Sequence, residues 1–277
     1  MASQLTGRSA TFTWSAVSGV EAYEIWIGST GAGSWNLYAS GPISGTSATP
    51  NNLPTNGEKL YVRLFTELDG AWESIDYTFN AAALGVLTTP SPTSTLAGPD
   101  VTFSWSAGSG SPNYQLWIGS TGAGSNNVYW SGTITGTSAT APNLPCLGKI
   151  LNVRLYTELN GTWVYADYTY TEATQAALTA PSPGSTLTGA DVTFTWSAGI
   201  EATDYKLWLG ATGVGSDGLY AGAATTTTSV TLTNMPTTGG TIYARLFTNF
   251  KGTVVYTDYT FKAASSGAAA AAETAQK

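Results

Sequence analysis

The side chains that usually carry out catalysis are few in this chain of 277 residues. It contains no histidine, which excludes catalytic triads and metal sites that depend on an imidazole. Its one cysteine, Cys146, has threonines at the equivalent positions 55 and 237, which favours an incidental loop thiol. The 17 acidic residues are scattered and form no Asp-x-Asp cluster of the kind that binds calcium. The sequence therefore predicts no catalytic residue, no metal site and no cofactor.

A glycine-rich segment occurs three times, at residues 28–34, 119–125 and 210–216. Gly28 and Gly33 enclose four residues, as the glycines of a phosphate-binding loop do. Ser34 stands where that loop needs a lysine, however, and the residues that follow favour a strand over a helix. We therefore interpret the segment as a flexible connector between two strands.

The clearest constellation consists of a tryptophan, an arginine and an aspartate that each recur every 91 residues. These residues are Trp26, Trp117 and Trp208; Arg63, Arg154 and Arg245; and Asp76, Asp167 and Asp258. If a two-residue hairpin turn lies at Asp69-Gly70, counting back along both strands pairs Arg63 with Asp76. An arginine opposite an aspartate and beside a tryptophan is typical of a salt bridge with a cation–π stack. We predict a structural role for the Arg–Asp pairs, and the alternative is an exposed platform for sugars.

Exposed aromatic residues are the candidate contacts for a ligand or partner. They are the tryptophans of the constellation, Trp26, Trp117 and Trp208, and the loop aromatics Trp35, Tyr38 and Trp130. The position of Trp35 holds Asn126 and Asp217 in the other copies. Loops that vary on a constant scaffold often carry binding specificity, although neutral drift gives the same pattern.

Alternation of side chains predicts strands and separates two classes of tryptophan. In Tyr23–Ile27, Tyr23, Ile25 and Ile27 share one face, while Trp26 lies on the opposite face with a charged neighbour. A second set of tryptophans instead alternates in step with apolar residues, so we predict that it is buried and structural. That set is Trp14, Trp105 and Trp196.

The 91-residue period indicates an array of whole domains, because about 90 residues can bury a core of their own. We predict sandwich repeats at residues 1–89, 90–180 and 181–264, followed by an Ala-rich tail or linker at 265–277. Pro90-Ser91-Pro92 and Pro181-Ser182-Pro183 occupy the same position in the period and favour short, stiff connectors. The first repeat starts just after this motif, so we expect the natural chain to continue towards its N-terminus.

The runs from Thr13 to Tyr23 and from Thr195 to Tyr205 resemble the signature between the second and third strands of bacterial fibronectin type III domains. The run from Tyr61 to Gly70 is similar to the sixth strand of that family and its hairpin. The resemblance covers all three repeats and implies seven strands in two sheets. The predicted fold class is thus all-β, with three tandem fibronectin type III/Ig-like antiparallel β-sandwich domains joined by short Pro-rich linkers.

Composition excludes some classes of partner. The net charge is −7 and lysine and arginine together number 10, so the basic surface that nucleic acids require is missing. No apolar run approaches the roughly 18 residues of a membrane span, and the N-terminus lacks the pattern of a signal peptide. The expected partners are other copies of the chain, other domains of a longer parent chain and cell-surface glycans.

Domains of this resemblance occur in secreted or surface proteins of bacteria as spacers, adhesion modules or companions of polysaccharide-active enzymes. We therefore expect an extracellular or cell-surface location. The first hypothesis is a non-catalytic structural and adhesive array that acts as a spacer and self-assembles. The alternative is a set of carbohydrate-binding modules that use the exposed tryptophans and tyrosines, with three copies giving avidity. An enzyme is not expected.

Overall fold

The computed structural model describes residues 3–110 and 113–265. Within these ranges the chain consists of β-strands, turns and loops, and the all-β prediction is confirmed. The tail predicted at 265–277 lies outside the described residues except for Ser265. No helix in the described ranges has the length and apolar character needed to cross a bilayer.

The strands of the described residues fall into three successive sets of seven, and the second and third sets begin just before the predicted repeat boundaries, at Leu87 and Leu178. The first set comprises β1 (Ser3–Gln4), β2 (Phe12–Thr13), β3 (Val20–Gly28), β4 (Tyr38–Ala39), β5 (Ser47–Ala48), β6 (Lys59–Leu68) and β7 (Ala71–Asn80). The second comprises β8 (Leu87–Thr89), β9 (Val101–Trp105), β10 (Tyr114–Gly119), β11 (Tyr129–Trp130), β12 (Ser138–Ala141), β13 (Ile150–Leu159) and β14 (Thr162–Thr171). The third comprises β15 (Leu178–Ala180), β16 (Val192–Trp196), β17 (Asp204–Gly210), β18 (Tyr220–Ala221), β19 (Ser229–Leu232), β20 (Thr241–Phe250) and β21 (Thr253–Lys262).

The second and third sets each form a four-stranded and a three-stranded sheet. The orders are β11-β10-β13-β14 with β12-β9-β8, and β18-β17-β20-β21 with β15-β16-β19. This is the arrangement of seven strands in two sheets that the sequence resemblance implied. The first set forms β1-β7-β6-β3-β4 and a two-stranded sheet of β2 and β5. Strand β1 pairs with β7 in parallel, whereas β8 and β15 pair antiparallel with β9 and β16.

The long hairpins have the turns that the sequence indicated. Asp69 and Gly70 both have positive φ, at 48° and 71°, as a two-residue turn of type I′ requires. This turn places Leu68 opposite Ala71 and fixes the register of β6 against β7. The turn of the third repeat, at Lys251-Gly252, also has positive φ at both residues. The turns therefore determine which outward side chains of the two hairpin strands face one another.

The core of the third repeat lies between its two sheets. Phe194 from the three-stranded sheet packs with Leu207, Leu246 and Phe261 of the four-stranded sheet, and all four side chains are buried. The rings of Phe194 and Phe261 meet edge to face with centroids 5.6 Å apart. Burial of each such side chain contributes roughly 1.5–3 kcal/mol to the free energy of unfolding. In the first repeat, Phe12 and Phe79 make the corresponding edge contact at 5.1 Å.

The chain divides into two compact units. One consists of Met1–Pro92, Thr102–Ala139 and Asn152–Tyr168, and the other of Thr93–Val101, Thr140–Leu151 and Thr169–Lys277. The first unit contains the first repeat and the larger part of the four-stranded sheet of the second. The second unit contains the third repeat. The repeat boundaries read from the sequence remain predictions.

The Pro-Ser-Pro motifs, which the sequence suggested as connectors between repeats, come after the first strand of the following sandwich has already begun to pair. Strand β8 already pairs with β9 when the chain reaches Pro90, and β15 pairs with β16 before Pro181. The segments that lead into these strands are held by hydrogen bonds. In the first unit, the Gly85 amide donates to Thr157 Oγ1 at 3.0 Å. In the second, the Ala176 amide donates to Thr248 Oγ1, also at 3.0 Å.

Cys146 lies in the loop between β12 and β13, as the sequence suggested, and its side chain is buried. It packs with Ala173 and Phe250 in the second unit. Burial and, to a smaller extent, the nearby carboxylates of Glu172 and Asp100 together raise the pKa of the Cys146 thiol from 9.0 to about 11. The thiol is therefore protonated and unreactive near neutral pH, because the thiolate is the nucleophilic form.

This raised pKa predicts a loss of stability in alkali. Below pH 9 the Cys146 thiol is protonated in both the folded and the unfolded chain, so its contribution does not change with pH. Between pH 9 and about 11 the unfolded chain releases the proton first, so the free energy of unfolding falls. Denaturant unfolding across this range measures the fall. Cys146→Ala is the control, and parallel pH profiles for the two proteins would contradict the prediction.

Candidate functional site

The candidate site lies on the face of the β4-β3-β6-β7 sheet that points away from the core. The buried side chains Ile25, Ile27 and Val62 occupy the inner face, so their neighbours in sequence point outward. On this outer face Trp26 lies opposite Arg63, and Arg63 lies opposite Asp76 on the next strand. The third repeat has the same register, with Trp208, Arg245 and Asp258 in one row across β17, β20 and β21.

Each arginine forms a bidentate ion pair with its aspartate. Arg63 Nε and Nη2 donate to the two oxygens of Asp76 at 2.7 and 2.8 Å. Arg154 bonds Asp167 at 2.6 and 2.7 Å, and Arg245 bonds Asp258 at 2.7 and 2.9 Å. The two-point geometry matches a planar guanidinium to a carboxylate and fixes the orientation of both. The hydrogen bonds from Arg63 lower the pKa of Asp76 and those of Asp76 raise the pKa of Arg63.

The glycine-rich segment covers the guanidinium, and it is not merely a connector. A Cβ atom at Gly33 would lie 2.8 Å from Arg63 Nη1. The same distance is 2.8 Å for Gly124 and Arg154, and 3.0 Å for Gly215 and Arg245. All three glycines have φ near +80°, which side chains with a Cβ rarely adopt. A seryl hydroxyl closes the loop, because Ser34 Oγ donates to the Gly31 carbonyl at 2.6 Å.

Aromatic rings complete the environment of each arginine. The sequence suggested a tryptophan on the neighbouring strand, but the cation–π contacts are made to phenylalanine or tyrosine. Arg63 lies 5.9 Å from the Phe65 centroid, and Arg154 and Arg245 lie 3.6 and 3.9 Å from Tyr165 and Tyr256. The guanidinium is thus held between a glycine loop, a carboxylate and an aromatic ring, which supports a structural use of the pair.

The first repeat carries a row of four aromatic side chains across this face, which we call the aromatic row: Trp35, Trp26, Phe65 and Trp72. Successive centroids are 6.2, 4.7 and 6.3 Å apart. Trp35 is 60% exposed and Trp72 is 40% exposed, whereas Trp26 is partly buried between its neighbours. The indole of Trp26 is fixed because its Nε1 donates to Glu24 at 2.7 Å.

The other two repeats keep the centre of the row and change its ends. Trp117 packs on Tyr156 at 4.9 Å, and Trp208 packs on Phe247 at 4.7 Å. The second repeat adds the 58% exposed Trp130, which lies opposite Trp117 on β11. The third has Asp217 and Val254 where the first has Trp35 and Trp72. The exposed aromatic surface therefore differs among the repeats, while the Arg–Asp pair and its neighbouring tryptophan are constant.

The remaining candidates lie away from this face. Tyr38 pairs with the buried Ile27 and packs partly buried against the core, so it belongs to the inner side of β4. Trp105 and Trp196 are each 4% exposed and belong to the core, as their alternation indicated. Trp14 is only partly buried. Sequence reasoning gave no role to Phe65, which alternates in step with Arg63 along β6, and it missed Trp72, which alternates in step with Asp76 along β7.

In the described ranges, no group of three or more cysteine, aspartate or glutamate side chains is placed to hold a metal ion. The raised pKa of Cys146 and its burial give it no activated thiolate. The carboxylates of Asp76, Asp167 and Asp258 already accept hydrogen bonds from arginine. The outer face can therefore offer aromatic stacking surface and a few polar groups to a ligand.

No protein-family model and no curated protein matches the sequence. Solved structures with a similar fold include the FN1-FN3 domains of chicken CNTN1, at 13% identity and a TM-score of 0.33 over 93% of this chain and 96% of that one. Three N-terminal domains of the bacteriophage RB49 Highly Immunogenic Outer Capsid protein align at 11% identity and a TM-score of 0.34, covering 95% and 96%. The fibronectin(III)-like modules of Clostridium thermocellum CbhA align at 12% and 0.27, covering 66% and 94%.

One of these neighbours is named for its fibronectin(III)-like modules. The resemblance to tandem fibronectin type III-like repeats that the sequence suggested is confirmed for the fold. The strand orders of the second and third repeats carry this assignment by themselves. The source of the chain and its ligands remain predictions.

The loop glycine over the arginine makes a testable prediction. Gly124→Ala should lower the free energy of unfolding by roughly 1–2 kcal/mol, because the new Cβ meets a guanidinium that Asp167 holds in place and because alanine disfavours positive φ. In an Arg154→Ala background the loss should shrink to the backbone part, about 1 kcal/mol. Denaturant unfolding of the four proteins gives the coupling energy.

Gly136→Ala is the matched control for this cycle, since Gly136 has open space around its Cβ position and does not have positive φ. It should change stability by less than about 0.5 kcal/mol. An equal loss for Gly124→Ala with and without Arg154 would show that the loop does not rest on the guanidinium.

Proposed function

We propose that the chain is a non-catalytic structural and adhesive array of a bacterial extracellular or cell-surface protein, in which the repeats act as spacers. The observation that carries this proposal concerns the two joints, where one repeat passes into the next. At each joint the connecting segment is held by an equivalent hydrogen bond, from the amide of Gly85 at the first joint and of Ala176 at the second. A spacer must keep successive domains in a defined relation, and a connector bonded to the next sandwich does so better than a free linker.

The contacts at the first joint lie within the first unit. The Ser109 amide donates to the Ala83 carbonyl at 2.8 Å, and the Ala83 amide donates back to Ser109 Oγ at 2.9 Å. Two residues later, the Gly85 amide bonds the buried hydroxyl of Thr157. Gly7 also packs against the hairpin tip of the second repeat, where a Cβ would lie 3.1 Å from Asn160 Cβ.

The second unit has hydrogen bonds at the same positions 91 residues later, with the bond between the first pair of residues running in the opposite direction. The Thr174 amide donates to the Ile200 carbonyl at 3.2 Å, and the Ala176 amide bonds Thr248. Gly98 packs on Phe250, and Asp100 accepts a hydrogen bond from Thr253 at 3.1 Å. Both hydroxyls that receive the connector are buried, so losing them would leave an unpaired amide at a cost of about 1–3 kcal/mol.

Single-molecule energy transfer across the first joint tests the spacer. Dyes attached through Gly45→Cys and Gly136→Cys, in a Cys146→Ala background, report the distance between two exposed turns with open space around them. We expect one narrow distance distribution, which broadens in Thr157→Val because the connector loses its anchor. Thr66→Val is the control, since Thr66 is the equivalent residue in the first repeat. A broad distribution for the unmodified joint would refute the spacer.

A second candidate, recognition of neutral glycans, is favoured by the aromatic row of the first repeat. Planar aromatic faces pack against the apolar C–H faces of sugar rings, and Trp35 and Trp72 present such faces to solvent. The neighbouring carboxylates of Glu24 and Asp76 and the net charge of −7 disfavour acidic polysaccharides. Other copies of the chain are a further class of partner, because exposed aromatic surface also supports contacts between proteins.

Affinity electrophoresis in gels that contain neutral polysaccharides tests this candidate. Trp35→Asn introduces the residue that the second repeat has at this position, and we expect it to weaken retention about tenfold, the effect of losing about 1.4 kcal/mol of stacking. Asn126→Asp exchanges the corresponding residues of the second and third repeats and should leave retention unchanged. Equal retention of the Trp35→Asn protein, or none in any neutral polysaccharide, would reject the glycan site.

A further inference from the structure

The second and third repeats each seat a short strand over the edge of the core. Leu87 of β8 lies opposite Trp105, and Leu178 of β15 lies opposite Trp196. Both leucines are buried and both tryptophans are 4% exposed. These strands therefore close the gap between the two sheets and shield one tryptophan of the core in each repeat.

A fixed set of side chains receives the backbone of this strand. In the second repeat, the amides of Gly85, Val86 and Leu87 donate to Thr157 Oγ1, Ser106 Oγ and the Tyr168 hydroxyl at 3.0, 3.0 and 3.3 Å. In the third, the amides of residues 176–178 donate to Thr248, Ser197 and Tyr259 at 3.0, 3.0 and 3.2 Å. The serine, threonine and tyrosine thus form a receptor for three consecutive amides.

The first repeat has the same receptor but no such strand among the described residues. The equivalents Ser15, Thr66 and Tyr77, together with Trp14, line an open cavity of about 410 Å³. The side chains around it are unusually exposed for the inner face of a sandwich, with Ile75 at 60% and Tyr77 at 46%. Thr157 and Thr248 are fully buried, whereas Thr66 is only partly buried.

We propose that this groove of the first repeat is a strand-acceptor site. Its occupant is an extended polypeptide segment of the type Val-Leu-Thr-Thr-Pro or Ala-Leu-Thr-Ala-Pro. The segment pairs antiparallel with β2, its leucine covers Trp14, and the amides of the leucine and of the two residues before it donate to Tyr77, Ser15 and Thr66. This is recognition by β-strand addition, in which backbone hydrogen bonds and one side-chain pocket together select the ligand.

The chemistry of the occupant follows from the two filled sites. The leucine is the single deeply buried side chain of each strand, while the residues after it are exposed. Pro90 and Pro181 follow at once and end the pairing, because proline has no amide to donate. A ligand therefore needs an apolar anchor, small neighbours with free amides, and no charge at the anchor position.

A peptide with the sequence of residues 83–92 is the direct probe, added to the full chain. We expect it to bind with a stoichiometry of one per chain, since the sites of the second and third repeats are already filled. Fluorescence anisotropy of the labelled peptide measures the affinity, and hydrogen exchange of the β2 amides locates the site. The same peptide with Leu87→Asp should bind at least tenfold more weakly, because its anchor would bury a charge.

Paired variants of the protein distinguish this site from general stickiness. Tyr77→Phe keeps the ring and removes the receiving hydroxyl, so the affinity for the peptide should fall about fivefold, the usual effect of one hydrogen bond of about 1 kcal/mol. Tyr168→Phe makes the same change in the filled site of the second repeat and should leave the affinity unchanged. Absence of binding, equal binding of the Leu87→Asp peptide, or equal effects of the two tyrosine variants would overturn the proposal.

Discussion

The bidentate pairing of an arginine with an aspartate across two neighbouring strands organises the outer face of every repeat. It requires that β6 and β7 keep one register, which the type I′ turn at Asp69-Gly70 sets. It also requires a loop that can approach the guanidinium closely. Residue 33 is a glycine at this point, and a Cβ atom there would lie 2.8 Å from Arg63 Nη1. The ion pair is half exposed, so it contributes specificity of packing more than stability. A shift of one residue in the register of β6 against β7 would separate the arginine from its aspartate and remove the contact between the glycine loop and the guanidinium. It would also place the core side chains of the shifted strand on the outer face.

How far the sequence predicted this arrangement depends on the range of each interaction. Alternation and the turn residues specify strands, faces and register, because these follow from local geometry within one hairpin. The pairing of Arg63 with Asp76 could therefore be counted from the turn alone. The contact of Gly33 with Arg63 joins segments 30 residues apart through a loop without periodicity. The ring beside each guanidinium depended on side-chain rotamers, which a pattern of polar and apolar letters does not encode.

The repeats differ where packing does not constrain them. Trp26 and its equivalents are held between the sheet and the aromatic residue of the next strand, so replacing one would expose its neighbour. Trp35 has no such constraint, and asparagine or aspartate takes its place in the other copies. Variation confined to the ends of a constant row is consistent with both drift and divergent binding. The first repeat nevertheless concentrates exposed aromatic area on one side of one sheet, with Trp35 60% and Trp72 40% exposed.

The edge of the core is where the second and third repeats take up the segment that precedes them. The indole Nε1 atoms of Trp14, Trp105 and Trp196 are all buried without a hydrogen-bond partner, so each tryptophan is retained for its apolar contacts. In the second and third repeats a buried leucine lies opposite the tryptophan on the neighbouring strand, Leu87 opposite Trp105 and Leu178 opposite Trp196. A sandwich whose last strand comes from the preceding segment is stabilised by that segment, and the stabilisation couples neighbouring repeats. The hydrogen-bonded connectors and the open groove of the first repeat thus have one origin. A strand outside the long hairpins closes the cores of the second and third repeats, and no described strand does so in the first.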